Sequence, residues 1–180
     1  MVIPRPIAWI SSISRDGTGN IAPHSFFNAV SCHPPIVMFA STHRAEDSGR
    51  PSKDTLNNVL ATQEFVVNLV SRDLVDAMMA TARDLPAQDD EFEVAGLRKE
   101  ACLRVGAPRI AQSRAALECR LIKAERMGDA TVVYGDVVYA HLDPSIMRDG
   151  AIAPDLVDPV ARLGGSLYAT LGEVFSRRRE

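Results

Sequence analysis

Residues 117–126 read LECRLIKAER and residues 131–141 read TVVYGDVVYAH, with Met127-Gly128-Asp129-Ala130 between them. Two long β-prone runs around a short Gly-Asp connection predict an antiparallel hairpin. Upstream, Ile7 to Ser14, Phe26 to Ser31, Ile36 to Ser41 and Glu64 to Val70 also read as strands, with turn chemistry at Arg15 to Asn20. Helical spacing is confined to two places. Asp54 to Ala61 puts Leu56, Val59 and Leu60 on one face, with Ser52 or Asp54 as N-cap, and Asp73 to Ala82 aligns Leu74, Ala77, Met78 and Thr81. Residues 42–52 read as a polar loop and residues 84–114 as irregular, while Gly164-Gly165 precedes a short strand or helix. Strands and helices do not alternate, which disfavours a doubly wound sheet. The expectation is a mainly β chain with helical insertions, a small barrel in one domain over residues 1–180.

The chain's 180 residues suffice to bury a core without a disulfide or metal staple. With 20 basic against 23 acidic residues there is no basic excess for a nucleic acid, and no apolar run is long enough to span a membrane. Met1 to Pro4 does not read as a signal peptide, and Cys32, Cys102 and Cys119 are widely spaced, as free thiols are in a reducing compartment. A cytoplasmic protein is expected.

Most chemical motifs fail on context. Gly17-Thr18-Gly19-Asn20-Ile21-Ala22 matches G-x-G-x-x-A, but Pro23 follows where a dinucleotide fingerprint must open a helix. His24, His33, His43 and His141 lack metal-ligand spacing, so no metal is expected. Cys32 and His33 are neighbours whose side chains diverge in extended chain. The acidic run Asp89-Asp90-Glu91 with Glu93 reads as a solvated loop, and Arg177-Arg178-Arg179 as a frayed end. From Ser41 to Asn58 the reading is sharper. A buried strand ends, a polar loop follows, and Ser52-Lys53-Asp54-Thr55 opens a helix, which brings a lysine, a hydroxyl and free N–H groups to one place. That is the chemistry a phosphate needs, and equally that of a capped helix with a surface lysine.

An ordered set of segments resembles the flavin reductase-like, FMN-binding split-barrel family. They are residues 5–12 (RPIAWISS), 20–28 (NIAPHSFFN), 34–39 (PPIVMF), Lys53-Asp54-Thr55 with Asn58, 64–68 (EFVVN), 90–92 (DEF), 95–97 (AGL), 117–119 (LEC), 135–138 (GDVV), and Arg162 to Gly165 with Tyr168. The resemblance implies a six-stranded antiparallel split barrel, a homodimer, and FMN near the subunit interface. It carries Pro23, His24, Ser25, Phe26 and Asn28 over as flavin-ring contacts, and Ser41, Lys53, Asp54 and Thr55 as phosphate and ribityl contacts. Arg162 and Tyr168, around glycines that let backbone pass close to a ligand, become neighbours of the nicotinamide.

The function so implied is an FMN-dependent oxidoreductase that passes hydride from NADH or NADPH to free flavin, a partner monooxygenase or another acceptor. No catalytic side chain is expected, because the cofactor carries the chemistry. The alternative is an FMN-binding carrier or electron-transfer protein without NAD(P)H turnover, since one barrel supports several functions.

Overall fold

The computed structural model describes residues 2–44, 52–86 and 88–178. Most of the expected 42–52 loop, and Arg179 of the basic tail, lie outside them. One sheet holds β1 (Ala8–Ile13), β2 (Gly19–His24), β3 (Phe27–Cys32), β4 (Pro35–Thr42), β5 (Glu64–Asn68), β6 (Ala115–Met127) and β7 (Ala130–Leu142). Its lateral order is β2-β1-β5-β6-β7-β4-β3, with every neighbouring pair antiparallel. The β6–β7 pair is the hairpin expected from sequence, turned at Gly128 with a φ of 61°.

β2 and β3 stand at opposite edges of this order, yet only Ser25 and Phe26 separate them in the chain. The sheet must therefore roll until its edges meet, and there His24 of β2 brings Nδ1 to 3.4 Å from the Ala40 carbonyl of β4. The result is a split barrel whose sheet has seven strands rather than the expected six. The difference arises at this corner, because one straight strand could not serve both edges.

The barrel interior gathers Ala8, Ile10, Val37, Phe39, Phe65, Val67, Cys119 and Val133, closed by Leu56 and Val59 of a helix. On the outer side of β1, Trp9 packs with Ile21, Met78, Phe92 and Ile110. Burial on both faces explains why Ala8-Trp9-Ile10 reads as unbroken apolar sequence. The buried Trp9 indole donates to Thr81 Oγ1 at 2.9 Å. At Gly135 a Cβ would stand 2.3 Å from the Phe65 ring, so the glycine is required for that ring to enter the barrel.

Helix α1 (Asp54–Thr62) buries Thr55, Leu56 and Val59. Its buried face centres on Val59, which turns Leu60 outward, contrary to the expected face. The N-cap is Lys53, not Ser52 or Asp54. The second expected helix is a 3-10 turn, Arg72–Leu74, followed by α2 (Val75–Ala80), and the irregular segment contains α3 (Glu91–Val94). Near the C-terminus, Ala161–Gly164 and Leu167–Ala169 form a small hairpin whose first strand also pairs with Arg5–Pro6.

Candidate functional site

A groove follows β2 from the N-terminus of α1 to the small C-terminal hairpin, as two cavities that share Pro23 and Ala82. The inner cavity is lined by Asn20, His24, Arg44, Lys53, Asp54, Thr55, Arg83 and Glu91. The outer one, about 340 Å³, is lined by Arg5, Ile7, Ser25, Met78, Met79, Arg162 and Tyr168. Residues far apart in sequence meet here because the rolled sheet brings the β2–β3 corner between α1 and the Arg5–Pro6 strand.

At the inner end, Lys53 gives α1 no capping hydrogen bond, and no carboxylate pairs with its ammonium among the described residues. The α1 N-terminus adds its partial positive charge to the same place. Asp54 is held differently, since Arg44 reaches it at 3.2 Å, Asp84 at 3.1 Å and the Ser52 carbonyl at 2.7 Å. Arg44 thus fastens both rims of the cavity. Thr55 is buried and spends its hydroxyl on Asn20 Oδ1 at 2.8 Å.

His24 is the buried polar group of this cavity. Its ring lies against Phe39, Nδ1 is 3.4 Å from the Ala40 carbonyl, and Nε2 has no partner. Burial, and then the nearby Lys53 charge, lower its pKa to about 4, so the imidazole is neutral. With the Nδ1 hydrogen directed at Ala40, Nε2 is a buried acceptor awaiting a donor. The Ser41 hydroxyl is likewise buried and unpartnered, but it lies on the Val37–Phe39 side of β4 and does not line the groove.

The floor is Glu91. One of its oxygens accepts from Asn20 Nδ2 at 2.8 Å and from the Ile21 N–H at 2.5 Å. Burial, reinforced by Asp54 and Asp90, raises its pKa to about 7. Asp90 caps α3 through the Phe92 N–H and also receives the Gly19 N–H. The acidic run is therefore only in part the solvated loop expected from composition. Glu93 is exposed, but Asp90 and Glu91 tie α3 to β2.

At the outer end, Arg5 donates to Ser25 Oγ at 3.2 Å and lies over the Phe26 ring. Phe26 is exposed, and Asn28, exposed on β3, lies outside both cavities and bonds the next residue's N–H. Arg162 stacks on Tyr168 and donates to its hydroxyl, which reaches Met79 Sδ at 3.0 Å. The groove thus brings together Pro23, His24, Ser25, Lys53, Asp54, Thr55, Arg162 and Tyr168, while Phe26, Asn28 and Ser41 do not line it. Sequence reading missed Arg5, Asn20, Arg44 and Glu91 as lining residues. Arg5, Asn20 and Glu91 stand inside the quoted segments, whereas Arg44 carries no sequence signal.

A second cluster, Cys102, Glu118 and His141, lies outside the groove with its possible ligand atoms within 4.8 Å of one another. Glu118 is fully buried and already accepts from the Leu103, Arg104 and Val105 N–H groups and from His141. Its oxygens are occupied in anchoring the 103–105 loop. The Cys102 thiol is pushed up to about 12, first by burial and then by Glu118.

A profile of the flavin reductase like domain matches residues 1–156. An uncharacterised protein of Aquifex aeolicus is 40% identical over 169 residues, which cover 93% of this chain and 85% of the relative. The crystal structure of nitrilotriacetate monooxygenase component B from Bacillus cereus is 31% identical, with a TM-score of 0.92 over 98% of this chain and 88% of that one. The 2-nitrobenzoate 2-nitroreductase of Pseudomonas fluorescens is 28% identical, with a TM-score of 0.87 over 99% and 86%. In sequence and in barrel topology alike, the chain belongs to the flavin reductase-like domain family.

Proposed function

We propose that the groove binds FMN and that the protein is an NAD(P)H-dependent oxidoreductase. The observation that carries this reading is Lys53, which among the described residues has no carboxylate partner and sits at a helix N-terminus without a side-chain cap, in one cavity with His24, whose Nε2 has no partner among them. The two lacks are complementary. A phosphate compensates the first, and a ligand N–H or O–H satisfies the second.

In this reading Lys53 and the first turn of α1 hold the phosphate, while the Arg44 ion pair offsets the charge of Asp54 beside it. Pro23, His24 and Ser25 line the ring, and neutral His24 accepts a hydrogen bond without adding charge. Bound there, FMN supplies two-electron chemistry that no side chain of this groove can supply. Arg162 and Tyr168 border the outer cavity, where a nicotinamide enters. The protein works as a homodimer in the cytoplasm. Its similarity to a monooxygenase component supports a partner monooxygenase as one destination for the electrons.

The test mixes the purified protein with FMN and adds NADH or NADPH without oxygen. Loss of the oxidised flavin's visible absorbance is expected. Bound flavin that neither nucleotide reduces would replace this reading with the carrier.

A further inference from the structure

Arg5 and Arg162 are direct cross-strand partners, both half-buried, and both line the outer cavity. Like charges set opposite each other in a β-pair are destabilising. Elsewhere Arg44, Arg109, Arg114 and Arg148 each meet a carboxylate, while Arg120 meets the Arg104 carbonyl. Among the described residues, neither Arg5 nor Arg162 meets a carboxylate. Their own contacts leave donors over. Arg5 uses Nε on Ser25 and keeps its whole Nη edge, and Arg162 keeps Nε and a hydrogen on each terminal nitrogen.

Both guanidinium groups lie over rings. Arg5 stands 5.4 Å from the Phe26 centroid and Arg162 4.7 Å from that of Tyr168. Planar donors held on aromatic faces are preorganised for an oxyanion, which they grip along their edges. The rest of the wall is Ile7, Pro23, Met78, Met79 and Ala82, apolar and rich in the sulfur that packs well on ring edges. A volume of about 340 Å³ is at the lower end for small-ligand pockets and suits a single ring.

We propose that this cavity is a binding site for small aromatic oxyanions, with the ring against the methionines and the anionic group between Arg5 and Arg162. That the ring also faces the flavin rests on the FMN reading above. The anion site itself does not. A carboxylate and a phosphate ester offer the same oxyanion chemistry to this pair, and the experiment separates them.

The experiment measures heats of binding for benzoate, phenyl phosphate and neutral benzamide, on protein with and without FMN. Either anion is expected to bind at least ~10-fold tighter than benzamide, in the range of charge-assisted hydrogen bonds, and to weaken with salt. Arg5→Gln and Arg162→Gln should each lose about 10-fold or more in anion affinity while leaving benzamide unchanged, and Arg5→Lys should recover part of the loss. Preference for benzoate assigns the site to carboxylates, and preference for phenyl phosphate to phosphate esters. Benzamide binding as tightly as both anions, or glutamine variants with parental anion affinity, would overturn the site. A flavin titration of the same samples keeps the readings separate. Anion binding without FMN binding sinks the flavin reading alone, and FMN binding without anion preference sinks this site alone.

Discussion

The His24 and Phe39 ring centroids lie 4.8 Å apart with the planes tilted by 53°, and Phe39 in turn meets Phe65 edge-on at 5.3 Å. The wall of the groove is thus the end of an aromatic row that starts in the barrel interior. The imidazole packs as a hydrophobic ring on one side and presents a bare nitrogen on the other.

His24→Phe should keep the packing and remove the acceptor. FMN affinity is expected to fall about 2–10-fold, the worth of one neutral hydrogen bond. The pH dependence provides a second check. A histidine at about 4 when folded and near 6.5 when unfolded stabilises fully above 6.5 and loses that contribution as pH falls toward 4. The variant's melting temperature should therefore decline less than the parent's between pH 7 and 4.5. Parallel curves would place the ring in solvent.

Lys53→Ala tests the phosphate end. A charge-assisted hydrogen bond contributes about 1.5–3 kcal/mol, so FMN should bind roughly 10–100-fold more weakly, with a smaller loss at high salt. Riboflavin, which lacks the phosphate, should bind both proteins alike. Equal losses for the two ligands in fluorescence titrations would move the phosphate elsewhere.

Glu91→Gln separates charge from shape. The amide oxygen can still accept from Asn20 and the Ile21 N–H, while the carboxylate's desolvation cost disappears. A carboxyl raised to about 7 stabilises fully below its unfolded value of 4.5 and loses that contribution as pH rises through 7. The variant should melt higher than the parent at pH 8, by ~2–4 °C for each kcal/mol relieved, and the difference should vanish by pH 4.5. A variant less stable at pH 8 would show that the ionised form is the one the fold uses.

The β6–β7 hairpin, the β1 turn and the α1 start are legible because their causes are local: alternating runs around Gly128-Asp129, a glycine at residue 17 with a φ of 93°, and helical spacing after Lys53. Glu91 is not legible, since its burial depends on Asn20 and Ile21, some 70 residues earlier. Nor is Arg44, whose role comes from carboxylates at residues 54 and 84 that only the folded chain sets around it. Phe26 to Ser31 reads as a strand, but that the residues just before it form a separate strand on the opposite sheet edge is decided by pairing with β1 and β4. Of the residues the likeness to a known family singled out, Pro23, His24, Ser25, Lys53, Asp54, Thr55, Arg162 and Tyr168 line the groove, whereas Phe26, Asn28 and Ser41 lie outside both cavities.

Gly135→Ala should be the most damaging small change in the barrel. The added methyl would overlap the Phe65 ring, and such overpacking costs about 1–3 kcal/mol. Denaturant unfolding should show a lower midpoint with an unchanged slope. The companion change Phe65→Leu should restore part of the loss in the double variant. Full parental stability in Gly135→Ala alone would mean that the ring moves freely.

Where β2 passes into β3, no ladder pairs β2 with β4 among the described residues, and the long His24–Ala40 contact bridges them. Elsewhere its neighbouring strands pair as antiparallel ladders, with register shifts only in β6–β7 and β3–β4. This seam is the natural line of local opening, and the groove lies along it. A ligand seated on Pro23, His24 and Ser25 therefore acts as a rivet, binding the closed form and slowing every opening of the edge. Amide exchange at residues 24–28 and 40 becomes a gauge of occupancy, fast when the groove is empty and slow when it is filled.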